Sequence, residues 1–470
     1  MQWSRRLGVV SWLALTAPLE ACVTVGPDYV APALETPDAF AGAPARPAEA
    51  LQSSWWRTFG SETLDSLISE AFSANPTVDE ADAALERARA SRDVTYGGAF
   101  PQINLSARSE DARINATAFG FDAFPTREIS RYSTSVGVSY DLDLFGGQRR
   151  AREAASAQFD AEGYRRSAAY LTLAADIATV AIELAIVNEE ISALEQIVAD
   201  DEEVLRLAQR AVSAGAVGDI DRIRAETQLR QDAAELPRLR GRRAGIETQI
   251  TVLVGRMPGR VIAPRFALTD FSVPDAPASI PSELLRTRPD ILAAEAALHA
   301  ATAQIGVRVA DQFPQIRLSG NLTQTALDPS NLFSSASSGW SFGPELTLPI
   351  FRGGALRARV REAEAEARAA EARYRATVLR AFGQVTNAYA DAGAAQGEYE
   401  AQEQALALAE QSARLARRAY EVGAGTLPDV LDAQRRAALS RRALARAAGG
   451  RLLALTRLQS AVAAPSAQRS

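Results

Sequence analysis

The chain has 470 residues and a formal charge of −6 at pH 7, and all 51 basic residues are arginine. So balanced a charge gives no reason to expect a nucleic-acid partner. A single histidine and a single cysteine cannot build a His/Cys metal cluster or a disulfide within the chain, and no metal or cofactor is expected.

Residues 1–21 have the layout of an export signal: Arg5 and Arg6, an apolar run from Leu7 to Leu19, then small residues up to Cys22. The run is shorter than the about 20 apolar residues that span a bilayer. Leu19-Glu20-Ala21-Cys22 resembles a bacterial lipoprotein box, with Glu20 an unusual member. That resemblance implies a covalent lipid, diacylglycerol and an N-acyl chain, on Cys22. Val23, in place of aspartate, then favours onward sorting to the outer membrane. The alternative is an export signal with an incidental cysteine. No other apolar run approaches membrane length, so the mature chain is expected to lack a transmembrane helix. A membrane crossing would then be a β-barrel.

Residues 22–60 begin Pro- and Ala-rich and read as an extended arm. A first unit covers 61–255. It opens with a helix carrying Leu64, Leu67, Ile68, Ala71 and Phe72 at helical spacing, interrupted by Asn75-Pro76, and runs on to Gly97-Gly98. Strands follow at about 101–115 and 129–145. In the second, Val136, Val138, Tyr140, Leu142 and Leu144 alternate with Ser135, Gly137, Ser139, Asp141 and Asp143. That period of two gives one apolar and one polar face. From about Gln148 to Ala214 there is no proline and one glycine, Gly163, which predicts a single helix about 100 Å long. Gly215 and Gly218 break it. A further helix runs from Asp219 to about Leu253, with a kink at Pro237.

A Pro-rich linker at 256–281 precedes a second unit at 282–463; 464–470 is a tail. The order repeats: a helix from Ser282 to about Asp311, strands at about 314–327 and 338–351, and a long helix from Ala355 to Glu421. A break at Gly423 and Gly425 and a last helix complete it. FPQINLS at 100–106 recurs as FPQIRLS at 313–319, and RAVSAGA at 210–216 aligns with RAYEVGA at 418–424. The chain is therefore duplicated. Each copy supplies two strands, and four strands cannot close a barrel, for which about eight is the practical minimum. The sheet is either soluble or part of a barrel shared between chains.

WWRTFGSETLDSLISEAFSANP at 55–76, LLRTRPDILAAEAAL at 284–298, the FPQ pair and GPDYVAP at 26–32 resemble the outer-membrane efflux proteins. These are the TolC-like outer membrane factors, NodT/OprM-like lipoprotein branch. The likeness covers nearly the whole mature chain. It implies a mainly α fold with a small β part and a homotrimer whose twelve strands form one membrane β-barrel. A long periplasmic α-helical barrel would continue it. The implied partners are outer-membrane lipid, a periplasmic adaptor protein and an inner-membrane RND-type pump, with drugs or other small molecules as cargo. The same architecture serves type I protein secretion; a soluble periplasmic coiled-coil scaffold is the alternative of another class.

The resemblance places Asp429 and Asp432 as carboxylate rings at a periplasmic aperture. Asp221 stands at the matching point of the first unit, and Tyr420 pairs with such an aspartate as a latch. Gly215, Gly218, Gly423 and Gly425 become the tips that meet the adaptor, although relatives can carry a helix-tying arginine where Gly425 stands. Read from the residues alone, Thr426 and Asp429 also form a capping-box arrangement with Pro428 early in the helix. Asp432, one turn on, is not explained by capping. The acidic run Asp200 to Glu203 reads as solvated helix surface, and His299, among alanines, reads as structural. No nucleophile, base or acid set is present, so an enzyme is not expected.

Overall fold

A computed structural model gives the fold and describes residues 24–43, 53–115, 127–215, 217–259, 264–278 and 281–464. Cys22 lies outside them. The helices are α1 (Glu62–Ala74), α2 (Pro76–Gly97), α3 (Gly147–Ser213), α4 (Asp219–Ala233), α5 (Glu235–Leu253), α6 (Pro281–Thr287), α7 (Pro289–Ala310), α8 (Ala355–Glu421) and α9 (Leu427–Val462). The strands are β1 (Gln102–Ile114), β2 (Arg127–Leu142), β3 (Gln315–Ala326) and β4 (Ser338–Thr347). Both α3 and α8 have 67 residues, about 100 Å at 1.5 Å per residue.

Two compact units share these helices. The first holds the sheet, antiparallel in the order β1-β2-β3-β4. Its central pair, β2 with β3, joins the two halves of the duplication. Two strands stop earlier than alternation alone suggests. β2 ends at Leu142 because Asp143 leaves the ladder: its carboxylate accepts the amides of Gln148 at 3.0 Å and Arg149 at 2.9 Å, opening α3. β4 ends at Thr347 although Leu348 and Ile350 continue the pattern, since Pro349 has no amide to donate.

The second unit holds the main core. Trp55, Phe59, Leu64 and Ile68 pack with Ile177, Leu184 and Leu194 of α3, Ile250 of α5 and Leu455 of α9. Each large side chain so buried contributes roughly 1.5–3 kcal/mol. This core corrects one expectation. A stretch of α3 is long and apolar enough to cross a bilayer by length and composition, but 61% of it is buried inside the protein. Ala174, Ile177, Ala178, Ala181, Ile182, Ala185 and Val187 face neighbouring helices, so its apolarity serves helix packing.

Three proline effects shape the shorter helices. The helix expected unbroken from Ser282 to Asp311 divides into α6 and α7, because Pro289 lacks the amide and disfavours helical backbone at Arg288. The kink expected at Pro237 falls three residues earlier, at Ala234, whose amide still reaches Arg230 O at 3.1 Å. The two units of sequence also close their ends alike. Asn75, before Pro76, donates to Leu253 O at 2.7 Å. Arg288, before Pro289, donates to Ala461 O at 3.1 Å. In each copy the residue before the proline takes up an orphan carbonyl at the end of the copy's last helix.

Candidate functional site

Three features carry residues of interest, beginning with the sheet. Its register puts Ile103, Val138 and Phe342 in one row and Leu105, Val136, Leu322 and Trp340 in the next, on one face. That face is unburied within the chain, with Leu105 72% and Trp340 82% exposed. The opposite face carries Gln102, Ser139 and Ser319; Asn104, Asn321 and Ser341; and Ser106, Ser135 and Thr323. Ser106 and Ser135 are bonded at 2.8 Å. Charged rows flank this neutral lining. At one end Glu110 pairs with Arg131. At the other, Arg317 donates to both oxygens of Asp141, at 2.5 and 3.1 Å, and stands across from Glu345. From Leu142 to Tyr132 the sheet runs about 34 Å along β2, or roughly 25 Å along a barrel axis at the usual tilt.

The helix turns are the second feature. α8 ends in a Schellman motif: the Ala424 amide donates to Ala419 O at 2.8 Å and the Gly423 amide to Tyr420 O at 3.0 Å. Gly423 has φ +73° and Gly215, closing α3, has φ +69°, values that suit glycine. Gly218 precedes α4 in extended backbone. Gly425 abuts α8, where an added Cβ would stand 3.1 Å from the Ala419 Cβ. Beside these turns Val204 and Ala208 of α3, Ala225 of α4 and Leu427 of α9 form a small buried cluster, with Tyr420 packed against it.

The aspartates at this end are held differently. Asp429 accepts the Thr426 amide at 3.0 Å and hydroxyl at 2.5 Å, and these bonds hold its carboxyl below the usual carboxylate range. Asp432 is exposed and pairs with Arg436 at 2.9 Å. Asp221 pairs with Arg224 at 3.5 Å. The structure thus gathers Tyr420 and the turns of α3–α4 and α8–α9 at one cluster. It leaves Asp429 and Asp432 pointing to solvent.

Asp201 corrects the reading of its acidic run as wholly solvated. Asp200 and Glu203 do face outward, bonding Gln196 and Arg206. Asp201 turns toward Asp232 of α4 and is pushed up to about 7 by burial, then by the hydrogen bond and charge of Asp232.

The third feature is the arm. The Val25 amide donates to Phe145 O at 3.1 Å. Arg150, in the first turns of α3 and buried, donates to Val25 O at 3.3 Å, Asp28 at 2.5 Å and Glu153 at 2.7 Å. Burial works against its charge, and the two carboxylates outweigh that cost. Glu153 also bonds His299 at 2.9 Å, and His299 stacks on Tyr29 with ring centres 4.4 Å apart. Gly26 has φ +90°, and a Cβ there would stand 2.4 Å from the Gly306 Cα. His299 is structural, as its surroundings suggest, with defined partners. Nothing local signals the Arg150 contacts with Val25 and Asp28 or the Glu153 contact with His299, since those partners lie more than 100 residues apart in sequence. Arg317 does have a signal: it is the one residue that differs between FPQINLS and FPQIRLS.

Comparison with known proteins agrees with this architecture. The family model described as "Outer membrane efflux protein" matches residues 67–256 and 280–464. Nodulation protein T of Rhizobium leguminosarum bv. viciae is 31% identical over 436 residues, covering 91% of this chain and 88% of that one. The antibiotic efflux pump outer membrane protein ArpC of Pseudomonas putida is 28% identical over 453 residues, covering 94% and 92%. The solved outer-membrane channel OprN superposes with a TM-score of 0.86 at 29% identity, over 94% of this chain and 99% of that one. With both halves of the duplication matched and the helical and strand elements superposed on those of a solved channel, the chain belongs to the outer membrane efflux protein family.

Proposed function

We propose that three copies of this chain form an outer-membrane efflux channel, a passive conduit that performs no catalysis. One observation carries the proposal: a four-stranded sheet with an apolar face, a polar face and two edges unpaired among the described residues. Such a sheet cannot stand alone in lipid, because each open edge leaves amides and carbonyls unsatisfied. Three copies supply twelve strands and remove every edge. The apolar rows then meet lipid and the polar rows line the lumen. A soluble scaffold would leave Trp340, Phe342, Leu105 and Ile103 in water for no purpose.

The helices then form the periplasmic part. The turns at Gly215, Gly218, Gly423 and Gly425 offer the surface that a periplasmic adaptor contacts, with an inner-membrane RND-type pump behind it. Asp429, Asp432 and Asp221 supply the aperture charge, and Tyr420 anchors the turn against its apolar cluster. The cargo is small molecules, in keeping with a relative described as an antibiotic efflux pump component. A type I secretion role would use the same conduit with a protein cargo. Cys22 carries the lipid.

The test is electrophoresis of the outer-membrane fraction without boiling. A band near three times the mass of the mature chain, which is slightly below the 50.2 kDa of all 470 residues, is expected, collapsing on heating to the single chain. A chain that stays monomeric and water-soluble without detergent sinks the proposal. For the lipid, labelled palmitate is expected on the wild type and absent from Cys22→Ser; label persisting in that variant would place the lipid elsewhere.

A further inference from the structure

The duplicated heptapeptide differs at a single position, Asn104 in the first copy against Arg317 in the second. Both sit on the polar face of the sheet. Asn104 stands opposite Gly137, in an uncharged row. Arg317 stands between two acids, Asp141 on β2 and Glu345 on β4. Arg317 and Asp141 are 55% and 49% exposed, so their pairing is open to the space in front of the sheet. Three successive rows beyond this one carry only Ser, Thr, Asn, Gln and Gly. Within the ladder, the fixed charge at this end of the polar face comes from one row; Asp143, one step beyond it, is paired with Arg149 at 3.4 Å.

We propose that Arg317 sets the ion selectivity of the barrel lumen, by holding the Asp141–Arg317–Glu345 row to one net negative charge per chain. The proposal rests on the channel reading and adds a selectivity element to it. Two carboxylates against one guanidinium leave one negative charge in each chain's row, and threefold symmetry repeats the row around the lumen. The low-dielectric wall focuses that field inward. At 0.1 M salt the screening length is about 10 Å, comparable with the radius of a barrel of this size; at 1 M it is about 3 Å, too short to reach the axis. Without Arg317 both carboxylates of each row stand unneutralised. This element is independent of Asp429 and Asp432, which lie on another element of the chain.

The experiment uses full-length trimers in planar bilayers, measuring the potassium-to-chloride permeability ratio in 0.1 M and 1 M KCl. Arg317→Gln is expected to raise the ratio about twofold at 0.1 M and leave it unchanged at 1 M. Glu345→Gln is expected to lower it at 0.1 M. The charge-balanced pair Asp141→Asn with Arg317→Gln is expected to restore the wild-type value. Should Arg317→Gln fail to assemble, Glu345→Gln and the balanced pair carry the test. The proposal is overturned if assembled Arg317→Gln and Glu345→Gln trimers keep the wild-type ratio at 0.1 M, if the balanced pair departs from it, or if any change persists equally at 1 M. Wild-type trimers that conduct nothing would overturn the channel reading, and the proposal with it.

Discussion

Asp429 and Asp432 lie one turn apart at the start of α9, and the structure separates what each does. Asp429 satisfies the orphan Thr426 amide as well as carrying charge, so its loss removes half of a capping box. Among the described residues Asp432 has the exposed partner Arg436, a pairing of little energetic weight. Because Thr426 holds Asp429 below the usual carboxylate range, its charge persists into mildly acidic solution. Asp429→Ala with Asp432→Ala is expected to raise single-channel conductance and lower cation selectivity. Asp429→Asn with Asp432→Asn removes the charge while the amide oxygen keeps an acceptor for Thr426. Equal loss of selectivity in both pairs assigns the effect to charge. Unchanged selectivity in both would reduce these residues to helix caps. Thr426, Pro428 and Asp429 announce their cap in the sequence, since capping is local chemistry; the proposed aperture role has no such local signature, because it would depend on sister chains.

Between elements, the pair Asp201 on α3 and Asp232 on α4 makes helix packing sensitive to pH. Gln228 holds Asp232 at 2.6 Å and is itself held by Arg435 of α9 at 3.0 Å. Burial and Asp232, with Asp200 adding to them against Arg435, push Asp201 up to about 7 from an ordinary 3.8. An acid that binds its proton more tightly in the folded state costs stability as pH rises from about 4 to about 7, and the cost remains above that window. Asp201→Asn is therefore expected to raise the thermal midpoint over wild type at pH 8 and to leave it unchanged near pH 4. Melts followed by circular dichroism would show this, and an equal gain at both pH values would remove the pair as the cause. The long helices were legible because 67-residue stretches free of proline permit little else. The inward turn of Asp201 was not, since four consecutive acids read alike until a partner helix selects one of them. Pro289 divided a helix that periodicity ran together, and Asp143 ended a strand that alternation carried further, because breaking and capping override apolar spacing.

At the scale of the molecule, the duplication could be read from the sequence, as could the shortage of strands in one chain. Both follow from local patterns and counting. Trp55, Phe59 and Ile68 packing with α3, α5 and α9 could not be read, and neither could the grip of Arg150 on the arm. Those contacts join residues that only the folded chain brings together. The grip has a consequence for any acyl group on Cys22. Three peptide units separate Cys22 from Val25, so the backbone that would bear such a group reaches at most about 10 Å from Val25. A tether that short would be no leash: a lipid on it would act as a float fixed to the hull, setting how deep the strands ride in the bilayer.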